Sequence, residues 1–194
     1  MLSGTRLTGV AQEAWQEFVN RGDTVVDATA GNGGDTVWLA KAIGPQGKLY
    51  AFDTQAKALA ATRAAIDDAV RQEDTPEIVY AHRCHSTMQE IVAEQSATLI
   101  CFNLGYLPSA DDKASTSTKH ETTVSAVAAA LETISKRGLV SLLAYTGHPG
   151  GQQEYVAVRQ QLMDLSPALW TVTEHKYINR PTAPVLILIV PKPT

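Results

Sequence analysis

The chain reads as an open α/β sheet of the Rossmann type, with seven strands, mostly parallel, an antiparallel strand at the C-terminal end, and helices on both faces. Three observations predict this. Short strand-like runs alternate with stretches of helical periodicity along almost the whole chain, an order that requires crossover helices and hence parallel strands. The last two strand-like runs are separated only by a short turn with prolines at 181 and 184, which suggests an antiparallel pair. The loop after the first strand is rich in glycine and begins with an acid, in the place where such a sheet holds its ligand.

The elements follow in order. Leu7 to Val19 places Val10, Ala14 and Phe18 at helical spacing, and Thr24 to Ala28 is a short β-branched run. Asp35 to Ile43 is helical and stops at the breaker pair Gly44–Pro45. Lys48 to Asp53 is the second strand, the alanine-rich stretch Gln55 to Gln72 a helix, and Glu77 to Ala81 the third strand. Met88 to Glu94 reads as a short helix and Ala97 to Asn103 as the fourth strand. Thr122 to Lys136 is expected as a helix ending at Gly138, and Leu139 to Tyr145 as the fifth strand. Gln152 to Leu165 is a helix stopped by Ser166–Pro167, and Trp170 to Ile178 and Val185 to Val190 close the sheet.

With 194 residues, 44% hydrophobic and 19% charged, the chain is expected to fold as one globular domain over 1–194. Two cysteines can form neither a disulfide framework nor a structural zinc site. The longest clean apolar run, Val185 to Val190, is too short to span a bilayer. The N-terminal MLSGTRLTGVAQEAW lacks a basic start followed by an apolar stretch, so no signal peptide is expected and the cytoplasm is the default location. A net charge of −4 argues against a protein that holds nucleic acid by bulk charge. Local contact with RNA stays open: residues 1–97 carry 8 basic and 13 acidic side chains, residues 98–194 carry 8 and 7.

The first strand runs into Asp27-Ala28-Thr29-Ala30-Gly31-Asn32-Gly33-Gly34-Asp35-Thr36. Glycines let this backbone turn tightly and approach a ligand with no Cβ in the way. Read from Gly31, a dinucleotide fingerprint would put Gly or Ala where Thr36 stands. The acid at the strand end suits a ligand with a cationic end, an amino acid or a sulfonium, and would repel a pyrophosphate. Asp53 ends the second strand 26 positions after Asp27, where a carboxylate can accept both hydroxyls of a ribose. His82, Cys84 and His85 follow the third strand; as metal ligands they would need a fourth from elsewhere, and no metal is expected.

VDATAGNGGDT at 26–36, YAFDTQ at 50–55, FNLGYLP at 102–108 and YTGHPGG at 145–151 together resemble the S-adenosylmethionine-dependent methyltransferases of the seven-stranded class. More narrowly, they resemble a small bacterial family labelled rRNA methylases, whose members include the enzyme that methylates 5-aminomethyl-2-thiouridine at the tRNA wobble position. The resemblance covers almost the whole chain. It implies that Asp27, Thr29, Gly31, Asn32 and Gly33 hold the methionine end of the cofactor and Asp53 the ribose. Thr54 and Gln55 would flank the adenine, with His85 and Ser86 at its edge. The family's last turn carries a second asparagine and a proline pair; here the turn is Asn179-Arg180-Pro181-Thr182-Ala183-Pro184.

Asn103 and Tyr106 have the spacing of the Asn/Asp-Pro-Pro-Tyr/Phe loop found in many enzymes that methylate exocyclic nitrogens, with Leu104-Gly105 in place of the prolines. Asn103 would then touch both cofactor and target amine, and Tyr106 would pack on the base. His148, after the fifth strand, has two readings: a proton acceptor near neutral pH, or a residue that orders its loop. Gly150 and Gly151 open the next helix, whose N-terminus suits an RNA phosphate. The polar linker from Ser109 to His120 is longer than an ordinary connection and reads either as a substrate-binding lid or as a solvated loop.

The expected function is therefore an S-adenosylmethionine-dependent methyltransferase acting on RNA, foremost on 5-aminomethyl-(2-thio)uridine in the anticodon loop of tRNA, with rRNA or a small amine as other targets. A NAD-dependent oxidoreductase is opposed by Thr36 and the antiparallel end. A non-catalytic RNA-binding module is opposed by the acidic charge. A monomer or homodimer, with no membrane partner, is expected.

Overall fold

The computed structural model describes residues 6–105, 118 and 120–193. Helices α1 (Leu7–Trp15), α2 (Gly34–Ile43), α3 (Ala56–Ala69), α4 (His120–Thr133) and α5 (Gly151–Met163) surround strands β1 (Thr24–Asp27), β2 (Lys48–Asp53), β3 (Glu77–His82), β4 (Ala97–Leu104), β5 (Ile134–Ala144), β6 (Trp170–His175) and β7 (Val185–Pro191). The strands form one 7-stranded sheet in the order β3-β2-β1-β4-β5-β7-β6. β1 pairs in parallel with β2 and β4, and β5 in parallel with β4. Only β7 is reversed, antiparallel to both β5 and β6, as the tight terminal turn predicts. Strand order reverses between β1 and β4, so the carboxyl ends of these two strands flank the natural ligand crevice.

Each central strand is apolar on both faces, which is why the sheet is covered twice. Val25, Leu99, Cys101 and Leu139 pack with Leu7, Ala11 and Trp15 of α1 and with Leu39, Ala40 and Ile43 of α2. The neighbouring Val26, Ile100, Phe102 and Val140 point the other way, onto Ala126, Val127 and Ala130 of α4 and Tyr155 and Val158 of α5. Trp15 meets Trp38 edge to face at 5.4 Å, tying α1 to α2. Among the described residues no helix is long and apolar enough to cross a membrane.

Two expected boundaries are corrected. The helix expected to reach Lys136 stops at Thr133, and Ile134–Gly138 already belongs to β5. Carbonyls of its last turn are taken from outside: Gln95 N–H donates to the Glu132 C=O and Ser96 N–H to the Thr133 C=O. Gly138 is therefore no helix cap; a Cβ there would lie 2.6 Å from the Ile134 side chain and 3.0 Å from the Ala97 carbonyl oxygen. The short helix expected at Met88–Glu94 is a 3-10 helix over His85–Glu90, begun early because the Thr87 amide and hydroxyl both donate to the Cys84 C=O.

Candidate active site

The first loop is an extension of the sheet that turns back at its glycines. Ala28 N–H still donates to the Cys101 C=O and Ala30 N–H to the Phe52 C=O, so the loop stays laced to β4 and β2. Gly31 (φ 54) and Gly33 (φ 85) then take left-handed backbone, which glycine adopts without steric cost. The bare face of Gly33 is not turned to a ligand, as the sequence suggests; a Cβ there would sit 2.9 Å from Thr62 Cα and 3.1 Å from Ala65 Cβ of α3. Gly33 is thus required by helix packing. At Gly34 nothing lies within 4 Å of a built Cβ, and Asn32 is exposed, so the open side of the loop is at Asn32 and Gly34.

Asp27 is wholly buried at the end of β1. Its carboxyl accepts the Thr29 N–H at 3.1 Å and the Thr36 hydroxyl at 2.6 Å. Burial, and secondarily the charge of Asp35, push its pKa up to about 7. Asp53, half-buried at the end of β2, accepts the Gly31 N–H at 3.0 Å on one oxygen and the Gln55 N–H at 2.8 Å on the other. One carboxylate thereby fixes the first loop and the second. Thr54 is exposed and gives its carbonyl to His82 Nε2 at 3.0 Å.

Asn103, at the end of β4, is brought directly to this group. Its backbone N–H donates to Thr29 Oγ1 at 2.7 Å, and its Nδ2 donates to Asp35 Oδ2 at 2.5 Å. Asp35 stands in the first turn of α2, and its other oxygen accepts Gln12 Nε2 of α1 at 3.0 Å. Asp27, Thr29, Asn103, Asp35 and Gln12 therefore form one hydrogen-bonded set that joins β1, β4, α1 and α2 around the β1/β4 switch point.

The remaining expected residues stand apart from it. His85 is 8% exposed, packs edge to face on Phe102 and bonds the Ala28 C=O through Nδ1 at 3.1 Å; burial pushes its pKa down. It supports the first loop from beneath and does not sit at an open adenine edge. The Ser86 hydroxyl donates to Cys84 Sγ at 3.1 Å. His82, Cys84 and His85 are thus each engaged locally, and among the described residues no three His, Cys, Asp or Glu side chains gather as a metal site. His148 bonds the Pro149 C=O through Nδ1 at 2.9 Å, and its Nε2 is buried 2.7 Å from where a Gly151 methyl would be. Tyr106 lies outside the described residues.

Four residues escape a reading of the sequence. Asp35 and Gln12 gain their role only through distant partners, since Gln12 in a helix and Asp35 near a helix start are ordinary surface choices. Tyr145, 37% exposed at the end of β5, lies beside Gly105, where a Cβ would be 3.4 Å from the Tyr145 side chain. Burial and then the Asp35 charge raise its phenol pKa. Behind the crevice the buried Glu154 of α5 accepts the Thr118 hydroxyl at 2.7 Å and the Thr123 hydroxyl at 2.5 Å, while Thr118 N–H donates to the Gly105 C=O at 2.8 Å.

A sheet in which only β7 is reversed, with acids closing β1 and β2 and an amide closing β4, defines a Rossmann-like methyltransferase domain. The family model described as "Putative rRNA methylase" matches residues 49–191, and the chain belongs to that family. It is 38% identical to the chloroplastic tRNA (mnm(5)s(2)U34)-methyltransferase of Arabidopsis thaliana over 95% of this chain and 69% of the relative. Among solved structures, a "putative rRNA-methylase" from Clostridium thermocellum superposes with TM-score 0.89 at 33% identity, covering 98% of this chain and 100% of the other. A "putative methyltransferase" from Streptococcus mutans in complex with SAH superposes with TM-score 0.83 at 29% identity, covering 97% and 99%.

Proposed function

We propose that this chain is a cytoplasmic S-adenosylmethionine-dependent tRNA methyltransferase that methylates the exocyclic amine of 5-aminomethyl-(2-thio)uridine at the wobble position of the anticodon loop. The plant relative is named for methylation at that nucleotide, and the streptococcal relative binds the demethylated cofactor. The observation that carries the reading is Asn103, held at the switch point by Thr29 and Asp35, where a nitrogen substituent can be aligned.

The donor set fits the cofactor. Each Asp53 oxygen accepts one backbone N–H, and a carboxylate oxygen can accept a second hydrogen bond, so the pair can still take two ribose hydroxyls. Asp27 supplies negative charge for a cationic methionine end, and the open side at Asn32 and Gly34 admits it. Thr54 and Gln55 lie next to Asp53 for the adenine. When bound, the cofactor supplies a methyl group already activated on a positive sulfur.

This chain's own task is to present a neutral amine. An aliphatic amine with a pKa of roughly 10 costs about 4 kcal/mol to deprotonate at pH 7, and partial desolvation in the crevice lowers that cost. Asn103 orients the amine so that its lone pair faces the methyl carbon, which is catalysis by positioning; the Leu104 carbonyl is taken by the Tyr145 N–H at 2.9 Å. A methyl donor held by Asp27 and Asp53 would pass its methyl group to the amine that Asn103 orients, and the surplus proton would leave nitrogen for solvent. Tyr106 is assigned to the base from sequence alone. For His148 the buried Nε2 favours ordering of the loop over proton transfer. The β6–β7 turn is tied to the residues after β5 by the Thr146 hydroxyl, which donates to the Ala183 C=O at 3.2 Å.

The test is methylation of tRNA from cells that accumulate the 5-aminomethyl form, followed by mass spectrometry of its nucleosides. One methyl per wobble uridine is expected. Asn103→Ala should lose turnover with cofactor affinity nearly unchanged. Asp53→Ala should weaken cofactor binding by about 1.5–3 kcal/mol for each charge-assisted hydrogen bond removed. Methylation of rRNA or free amines with that tRNA untouched would overturn the substrate assignment.

A further inference from the structure

We propose that Asp35 is a positioning residue that locks the side-chain amide of Asn103 with its carbonyl oxygen, not its NH2 group, offered to the substrate amine. This rests on the reading of Asn103 above and says how that residue selects for nitrogen donors.

An asparagine amide has two unlike ends of nearly equal size, one accepting and one donating. Left to itself, the side chain can turn either end to a ligand. Here its orientation is dictated from behind. Nδ2 of Asn103 lies 2.5 Å from Asp35 Oδ2, and a carboxylate only accepts. Flipping the amide would set two acceptor oxygens against each other at hydrogen-bond distance with no proton between them. Asp35 cannot swing away freely, because its other oxygen is held by Gln12 Nε2 at 3.0 Å. Asn103 cannot move as a unit, because its backbone N–H is bonded to Thr29 Oγ1 at 2.7 Å. Among the described residues, Oδ1 of Asn103 accepts no hydrogen bond.

The consequence is a fixed acceptor beside the β1/β4 crevice. A neutral primary amine carries two N–H groups and one lone pair. With an N–H directed at Oδ1, the lone pair is left for the methyl carbon. A group that offers only acceptors, such as a ring nitrogen without hydrogen, meets oxygen there and is disfavoured. An acid in the first turn of a helix is commonly a partner for the helix dipole. Two amide donors converging on it from α1 and from the end of β4 give Asp35 a task beyond that.

The test uses the full chain and tRNA bearing 5-aminomethyluridine, and compares Asp35→Asn, Asp35→Glu, Asn103→Ala and the Asp35→Asn/Asn103→Ala double variant. Asp35→Asn keeps the shape but can accept or donate, so the lock is lost. Its kcat should fall about ten- to a hundred-fold, the range that misplacement of a reacting group produces, with KM for tRNA and Kd for S-adenosylmethionine changed less than about threefold. Asp35→Glu should restore part of kcat. The double variant should be no slower than Asn103→Ala alone, because the effect passes through Asn103. If Asp35→Asn does not fold, judged by circular dichroism, Gln12→Ala carries the test, with a smaller loss in the same parameter. An unchanged kcat, additive losses in the double variant, or a loss confined to cofactor affinity would overturn the inference while leaving the substrate reading intact. A wild-type chain that leaves this tRNA unmethylated overturns both.

Discussion

Lowering the pH from 7 to 5 should weaken binding of S-adenosylmethionine by about fifty-fold, and Asp27→Asn should abolish that dependence. Asp27 has no exposed surface, and its pKa is raised to about 7, first by burial and then by Asp35. In the ligand-free protein it is therefore mostly protonated below pH 7. A cationic ligand favours the ionised carboxylate, which the Thr29 N–H and Thr36 hydroxyl already stabilise. Binding below pH 7 must then expel a proton, so affinity approaches a loss of about tenfold per pH unit until the bound-state pKa is reached. The sulfonium does not titrate, and an α-amino group loses its proton only near pH 8, outside the window. Calorimetry in buffers of different ionisation enthalpy counts the protons directly. The same group acts on stability with the opposite sign. Its unfolded value is the ordinary 3.8 and its folded value about 7, so the folded state holds a proton that the unfolded state lacks between them. Its contribution to the ligand-free stability therefore falls as pH rises from 4 to 7, by about 4 kcal/mol at most. A flat affinity between pH 5 and 7, or a slope that survives in Asp27→Asn, would refute the reasoning.

Gly33→Ala should destabilise the fold by about 2–4 kcal/mol in urea unfolding, combining left-handed strain with a clash against α3, whereas Gly34→Ala should change stability by less than about 0.5 kcal/mol at its open position. Glu154→Ala leaves the Thr118 and Thr123 hydroxyls without their acceptor; it should cost about 2–4 kcal/mol and speed hydrogen exchange at the Thr118 amide, and an unchanged exchange rate would count against the clasp. Arg180, exposed and stacked 5.2 Å over Tyr177 in the β6–β7 turn, should contribute one phosphate contact. Arg180→Ala should raise KM for tRNA and reduce the salt slope by about one, with kcat kept.

The frame of the molecule was legible because its signals are local. Apolar runs such as Val25–Val26 and Leu99–Phe102 feed both faces of the sheet, and the proline-marked turn near 181–184 announces the reversed β7. The start of β5 was not legible. What ends α4 is a pair of hydrogen bonds from Gln95 and Ser96, partners far away in sequence, and Ser135-Lys136-Arg137 carries no apolar period to reveal a strand. The site divides in the same way. Asp27, Asp53 and Asn103 stand at strand ends and could be named from position. Asp35, Gln12 and Glu154 act through partners on other elements, and His85 looks the same in sequence whether it faces a ligand or props a loop. Gly33 shows the converse: its presence was readable, but its reason, the approach of Thr62, was not.

The clasp at Gly105, Thr118 and Glu154 has an evolutionary consequence. Because Thr118 N–H donates to the Gly105 C=O, that bond fixes the spacing of β4 and α4 whatever the number of residues between the two positions. Doubling such a span adds only about 0.6 kcal/mol of closure entropy. Residues can therefore be added or removed between positions 105 and 118 while the sheet and the acids at its strand ends stay as they are. Sequence change between these two positions can therefore accumulate at little folding cost, as in a tool whose bit is exchanged while the handle is kept.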